Sequence, residues 1–402
     1  MDSLLKTFSQ LNATMLLAVV LLAIAAGAAV LLLFIVARRA LQHFRAQKVD
    51  ALSFKIHKQW REIVRGDVPA EEWRNDPVQC DIVRSIVIQE IGAATDKDRA
   101  GLQGFLRESG LVDRCIERVH SGHGWSRRRE MLALGAMRVP EAIAPLAEAL
   151  DDWQLDTRMA AVQALGQTFL AEAAEPMIEA FLVSGLKVPS DPIANALVRC
   201  FMDRPDALLP YLRRSQGEGR ELLARVASEL ATASMADEMV LLAEDLRPEV
   251  RACAAKALAV APLPLAIPAL ADLARDEAWF VRLRAATALH QIPHPRTIPI
   301  LLEAVRDSNR LVRMRAAAAL AKFEHETVDI LQSVVDSRDR YALHAMISAL
   351  ELGGGFERVM AQLDDPVLHD EAASRLLTAL REGAAGLWTT RPADPAVESV
   401  FP

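Results

Sequence analysis

Apolar positions follow two different patterns along this chain. Near the start they form one unbroken run, with no charge from Thr7 to Ala37 and nothing polar from Met15 to Ala37. Much further on they recur at a fixed interval. Between Asp245 and Leu320 the same wording appears three times, 31 residues apart: Asp245, Val250-Arg251, Ala254-Ala255, Ala257-Leu258; then Asp276, Val281-Arg282, Ala285-Ala286, Ala288-Leu289; then Asp307, Val312-Arg313, Ala316-Ala317, Ala319-Leu320. Val250, Ala254, Ala257 and Leu258 stand at i, i+4, i+7 and i+8, which is one stripe of a 3.6-residue helix. A companion helix lies upstream in each period, where Pro268 and Pro299 each precede their Asp by eight residues and begin or bend it. A helix pair of this length cannot bury enough surface to offset an ordering cost of roughly 1.5 kcal/mol per residue. Such pairs must stack, each covering the next, so the pattern predicts an all-α array.

The charges keep the same beat. Arg251, Arg282 and Arg313 each follow their Asp by six residues, so a carboxylate and a guanidinium recur at one level of every layer. Each Arg can pair with the Asp of its own or the adjacent repeat, and Asp276 or the polar residues just after it (Ser308 in the next period) can cap the second helix. The register is also present upstream: Asp152 and Arg158 are six apart, Arg158 lies three periods before Arg251, and Gly135 and Gly166, like Pro145 and Pro176, differ by one period. Between about Pro189 and Ala243 the charged positions fade while leucines keep a helical rhythm. Beyond Leu320 the spacing weakens, and Gly353-Gly354-Gly355 breaks the chain before a last helix pair ending near Leu380.

This Pro…Asp…Val-Arg…Ala-Ala-x-Ala-Leu pattern resembles HEAT repeats of the short bacterial kind, also likened to the bilin-lyase (PBS-lyase) group. The resemblance implies an α-solenoid of HEAT-like helical pairs, with Asp152, Arg158, Asp245, Arg251, Asp276, Arg282, Asp307 and Arg313 as a structural ladder along its inside. It also implies a groove lined by the second helices and open to a partner segment. Trp153, Trp279 and Phe280, in the turns between paired helices, are candidate partner contacts or cover the layer edges; Trp388 near the carboxy terminus is a further candidate contact, where Val400-Phe401 offers a second short anchor. Arg127-Arg128-Arg129 reads as a ladder position with solvated neighbours. HEAT-like deoxyhypusine hydroxylases bind iron through repeated His-Glu pairs, but here only His325-Glu326 has that form and His369-Asp370-Glu371 is a weak echo, so iron chemistry does not carry over.

The early apolar run, about 34 Å long at 1.5 Å per residue, reads as a transmembrane helix over residues 13–37. A cleaved signal peptide is the rival reading, but the apolar core exceeds the usual length of about 7 to 15 residues. Eight Arg and Lys against Asp50 and Glu62 give residues 38–65 a charge of +6; since the whole chain is −7 and residues 1–37 sum to zero, the remainder carries −13. By the positive-inside rule the amino terminus is outside and the long remainder cytoplasmic, as in a single-pass protein of the bacterial inner membrane. The bilayer would then be engaged by residues 13–37 and the basic flank, with Trp60 at the interface and each flanking charge contributing on the order of 1 kcal/mol on anionic lipid. Ala23 and Gly27 form a small-xxx-small pair that lets two such helices approach and leaves a homodimer open.

The expected order is thus a short outer segment (1–12), the span (13–37), a basic juxtamembrane segment (38–65), a helical cap (66–124), the repeat solenoid (125–382) and a flexible tail (383–402). Candidate chemistry changes little. Cys80, Cys115, Cys200 and Cys253 are scattered with no CxxC and no His at ligand spacing. No P-loop, GxSxG, GxGxxG or HExxH occurs, so no catalytic residue, cofactor or metal is expected. The acidic array would repel nucleic acid. The expected function is a membrane-anchored cytoplasmic scaffold or adaptor for a membrane-associated protein partner, in envelope or glycosyltransferase-associated machinery. The alternative is an enzyme or enzyme subunit of the bilin-lyase type acting on a membrane-associated substrate.

Overall fold

The computed structural model describes residues 2–183, 185–364 and 371–389, and every regular element among them is helical. The chain divides into two units, residues 1–117 and 118–402.

The first unit opens with α1 (Asp2–Arg65), a single helix of 64 residues, followed by α2 (Glu71–Arg74), α3 (Pro77–Ala93) and α4 (Asp96–Glu108), and α5 (Leu111–Ser121) begins within it. Pro77 at the first position of α3 and Asp76 before it, whose carboxylate accepts the Val78 N–H at 2.9 Å, start that helix. The end of α1 packs on α3 through Ile56 and Ile63, both buried, while Trp60 and Trp73 lie 6.3 and 5.8 Å from Phe105, centroid to centroid. Arg114 and Arg84 point guanidinium N–H groups at the sulfurs of Cys80 and Cys115, at 3.2 and 3.5 Å.

The expectation of a single-pass inner-membrane protein, outside at its amino terminus, needs correction. Among the described residues no helix is long and apolar enough to cross a membrane, and lipid engagement by residues 13–37 and their basic flank loses its support. The apolar run is not an element of its own; it belongs to α1, which passes without a break through Arg38 and Arg39 and ends as a packed helix of the first unit. Ala23 and Gly27 lie inside α1 as well, and a Cβ built at Gly27 would meet nothing within 4 Å.

The second unit is the stack. After α6 (Gly124–Ala136) come α7 (Ile143–Glu148), α8 (Leu155–Gln167), α9 (Ala174–Leu182), α10 (Ser190–Phe201), α11 (Leu209–Arg214), α12 (Gly217–Glu229) and α13 (Ala236–Ala243). The series continues with α14 (Pro248–Ala257), α15 (Leu263–Leu273), α16 (Trp279–His290), α17 (Ile298–Ala304), α18 (Arg310–Leu320), α19 (Thr327–Asp336), α20 (Arg340–Leu352), α21 (Phe356–Leu363) and α22 (Glu371–Thr389). Even-numbered helices pack on one another in order from α6 to α22. The stripe residues Val250, Ala254, Ala257 and Leu258, and their counterparts in α16 and α18, are all buried at this contact. Pro268 sits inside α15, and Pro299 opens α17.

Small residues set the spacing of the first even helices. A Cβ added at Gly166 in α8 would stand 2.7 Å from the Ala196 Cα in α10, and one at Gly135 in α6 would collide with the Ala164 carbonyl in α8. Both glycines have ordinary helical φ, so close approach and not backbone freedom demands them here.

Candidate functional site

The charged residues of the repeat are brought together by the turn between the two helices of a pair. In each, one carboxylate oxygen of the Asp accepts a backbone N–H two residues on: Gln154 for Asp152, Arg247 for Asp245, Ala278 for Asp276 and Asn309 for Asp307, at 2.7–3.0 Å. The other oxygen faces the preceding layer. Arg251 donates through Nε and Nη2 to Asp276 at 2.6 and 2.9 Å, and Arg282 does the same to Asp307 at 2.6 and 3.0 Å. Single contacts join Arg127 to Asp152 at 2.7 Å and Arg220 to Asp245 at 2.5 Å. The remaining Nη1 of Arg251, Arg282 and Arg313 turns back to two carbonyls of its own turn, at 2.7–3.1 Å. Arg251 and Arg282 therefore bind their own layer through the backbone and the next layer through the carboxylate 25 residues on. The second helix is capped by other groups, such as Asn309 in α18 and Asp339 in α20.

The electrostatics follow from this geometry. Burial pushes Asp276 and Asp307 up, but the hydrogen bonds and charges of Arg251 and Arg282 outweigh it, so both carboxyls fall below their ordinary value. The same hydrogen bonds hold Arg251 and Arg282 above theirs. The chain of pairs breaks twice. At the position 25 beyond Arg158 stands Val183, so Arg158 donates to the carbonyls of Asp152, Trp153 and Lys187, its Nε lacks a partner, and no carboxylate reaches it among the described residues. At the position 25 beyond Arg313 stands Arg338, and Arg313 instead lies 5.3 Å from the Tyr341 ring.

Arg220 was hidden from the sequence reading although it lies 31 residues before Arg251. Five extra residues before α10 shift the register, and five fewer after it restore the register in α12. The expected contact residues are placed as follows. Trp153 is 85% exposed in the turn before α8. Trp279 and Phe280 are the first two residues of α16 and not part of the turn; their rings meet edge to face at 6.1 Å, with Trp279 partly exposed. Trp388 falls in the last turns of α22 with its side chain outside the described residues, as are Val400-Phe401 and the His369-Asp370 pair. Cys80, Cys115 and Cys200 are buried thiols, and burial pushes Cys200 up to about 12. No group of three or more His, Cys, Asp and Glu that could hold a metal occurs among the described residues.

A feature the sequence did not announce lies on the even-numbered helices. A hollow of about 670 Å³ crosses α6, α8 and α10, and its lining is one quartet at i, i+3, i+4 and i+7 taken three times. The copies are Trp125, Arg128, Arg129 and Leu132; Asp156, Met159, Ala160 and Gln163; and Pro192, Asn195, Ala196 and Arg199.

The HEAT repeat family matches residues 267–351, and the PBS lyase HEAT-like repeat matches residues 127–152. These two stretches are HEAT-like repeats, within an all-helical stack. The two matches fall on stretches where the register holds, on either side of the shifted α10. Among curated proteins none matches in sequence. Similar solved structures include an engineered protein, 17% identical over 81% of this chain and 98% of that one with a TM-score of 0.35. Human deoxyhypusine hydroxylase in complex with glycerol is 19% identical over 68% and 96%, TM-score 0.25. The complex of CpcE and CpcF of phycocyanin lyase from Nostoc is 20% identical over 54% and 92%, TM-score 0.25. Likeness at these scores carries no argument about activity.

Proposed function

We propose that this protein is a scaffold or adaptor that holds a protein partner against the even-numbered helices of its HEAT-like solenoid. One observation carries the reading: charge is sorted between the two helices of each pair. The even-numbered helices from α6 to α22 hold 17 Arg and Lys against 10 Asp and Glu, whereas the odd-numbered helices from α7 to α21 hold 3 against 10. In a chain of net charge −7 the even-numbered helices thus carry the opposite sign to the odd-numbered ones, and such sorting steers and orients a partner. HEAT-like repeats generally mediate protein interactions, in keeping with such a face.

In this reading Asp152, Arg158, Asp245, Arg251, Asp276, Arg282, Asp307 and Arg313 serve as a structural ladder, with Arg127 and Arg220 added to it, in an array that runs over 125–382. Trp153, Trp279 and Phe280 are contacts at its edge. The tether, and the envelope association that depended on a one-span layout, have no support left.

Affinity purification of the full chain from its native host tests the proposal. A stoichiometric protein that is lost when Arg284 and Arg310 are reversed to Glu is expected. A tightly held small molecule with no protein partner would favour the lyase-like alternative instead.

A further inference from the structure

We propose that the hollow across α6, α8 and α10 seats an acidic stretch of the partner carrying one apolar or aromatic side chain, an inference that rests on the scaffold reading above. The hollow has a floor and a rim of different character. Ala160 and Ala196 are buried in the floor, and Leu132 and Met159 are half-buried beside them, which suits an apolar side chain. The rim is basic. Arg199 is exposed on α10 and makes neither a hydrogen bond nor an ion pair among the described residues. Arg128 has its nearest carboxylate, Asp156, at 3.8 Å, beyond hydrogen-bond reach. Arg129 lies 5.4 Å from the ring of Trp125, which is itself 68% exposed, and touches the buried Glu130 at 3.1 Å.

Three guanidiniums against two carboxylates, Asp156 on the rim and Glu130 beneath Arg129, leave an excess of positive charge at this place on an acidic molecule, and it sits on Arg199. Guanidinium is the group that binds carboxylates in a fixed, two-pronged geometry. The length of the occupant follows from the packing. Helices about 8–10 Å apart place the outer two of the three roughly 20 Å from each other, the reach of about six extended residues. The sequence also marks where the seat ends. On α12 the places of Trp125 and Arg128 are taken, three periods on, by Glu218 and Glu221, and Glu221 is already paired with Arg247. A long polyanion such as a nucleic acid would run onto those carboxylates, whereas a short acidic segment with an apolar anchor stops before them.

The test uses the full chain and a fluorescent hexapeptide, Glu-Asp-Phe-Glu-Asp-Leu, followed by anisotropy and by Trp125 emission. Saturable binding is expected, weakened about tenfold or more by Arg128→Glu with Arg199→Glu, at unchanged melting temperature. The peptide Lys-Arg-Phe-Lys-Arg-Leu should bind the doubly reversed variant better than the wild type. Equal binding of Gln-Asn-Phe-Gln-Asn-Leu, tighter binding of a single-stranded oligonucleotide, or no acidic-peptide binding up to about 1 mM would overturn the proposal. Should the native partner co-purify equally with wild type and the double variant, the hollow is not its seat although the scaffold stands; if no partner co-purifies at all, the scaffold reading falls too.

Discussion

The layers at α14, α16 and α18 and those at α6, α8 and α10 are built from the same repeat, yet they spend their charged residues differently. In the later block Arg251 and Arg282 are each locked by two hydrogen bonds to the next Asp, with side chains of both partners 14% exposed or less. In the earlier block only Arg127 finds such a carboxylate, Arg158 has none, and Arg128, Arg129 and Arg199 stand around an open hollow. Helix contact differs in the same sense, being made through glycines at Gly135 and Gly166 in the early block and through alanines in the later one. Regular layers use their charge for cohesion. Where the register slips, charge is released to the surface, and that is where a partner can be recognised.

Substitutions can break this contrast, beginning with the largest effect. Arg282→Ala leaves Asp307 buried without its partner and should cost about 3 kcal/mol, seen as a lower melting temperature. A melting temperature equal to wild type would remove the cohesive role of the pairs. Next, Gly166→Val drives a side chain into Ala196, for an expected loss of about 1–3 kcal/mol in the same assay. Arg158→Ala sacrifices only hydrogen bonds to carbonyls and should cost about 1 kcal/mol, clearly less than Arg282→Ala; equal losses would erase the difference between the blocks.

The smallest effect is in pH. Asp276 and Asp307 have lowered values in the fold, so their contribution is fully present above the unfolded carboxyl value of about 4 and is lost as pH falls through the lower folded values. The stability gap between wild type and Arg282→Ala should therefore narrow on acidification below about pH 4, as urea titrations at several pH values would record.

Much of the fold was legible because a 31-residue beat carries both the apolar stripe and the Asp-Arg spacing. That spacing left two pairings open, within a layer or between layers, and the structure uses both, the first through backbone carbonyls and the second through side chains. Arg220 escaped because the five-residue slip around α10 hid its layer, although Arg251 lies one period away. The hollow escaped for the same reason: its α10 quartet lies 36 residues after that of α8, and only packing reveals that the three quartets share a face. The early apolar run misled in the opposite way. Its composition marks it off as an element of its own, whereas helix bounds are set by the backbone, and α1 continues to Arg65.

Hydrogen exchange on the full chain, alone and with its co-purified partner, would show which helices the partner covers. Slowed exchange is expected in the even-numbered helices, most in α6, α8 and α10, with the odd-numbered helices unchanged. Protection confined to the odd-numbered helices would contradict it.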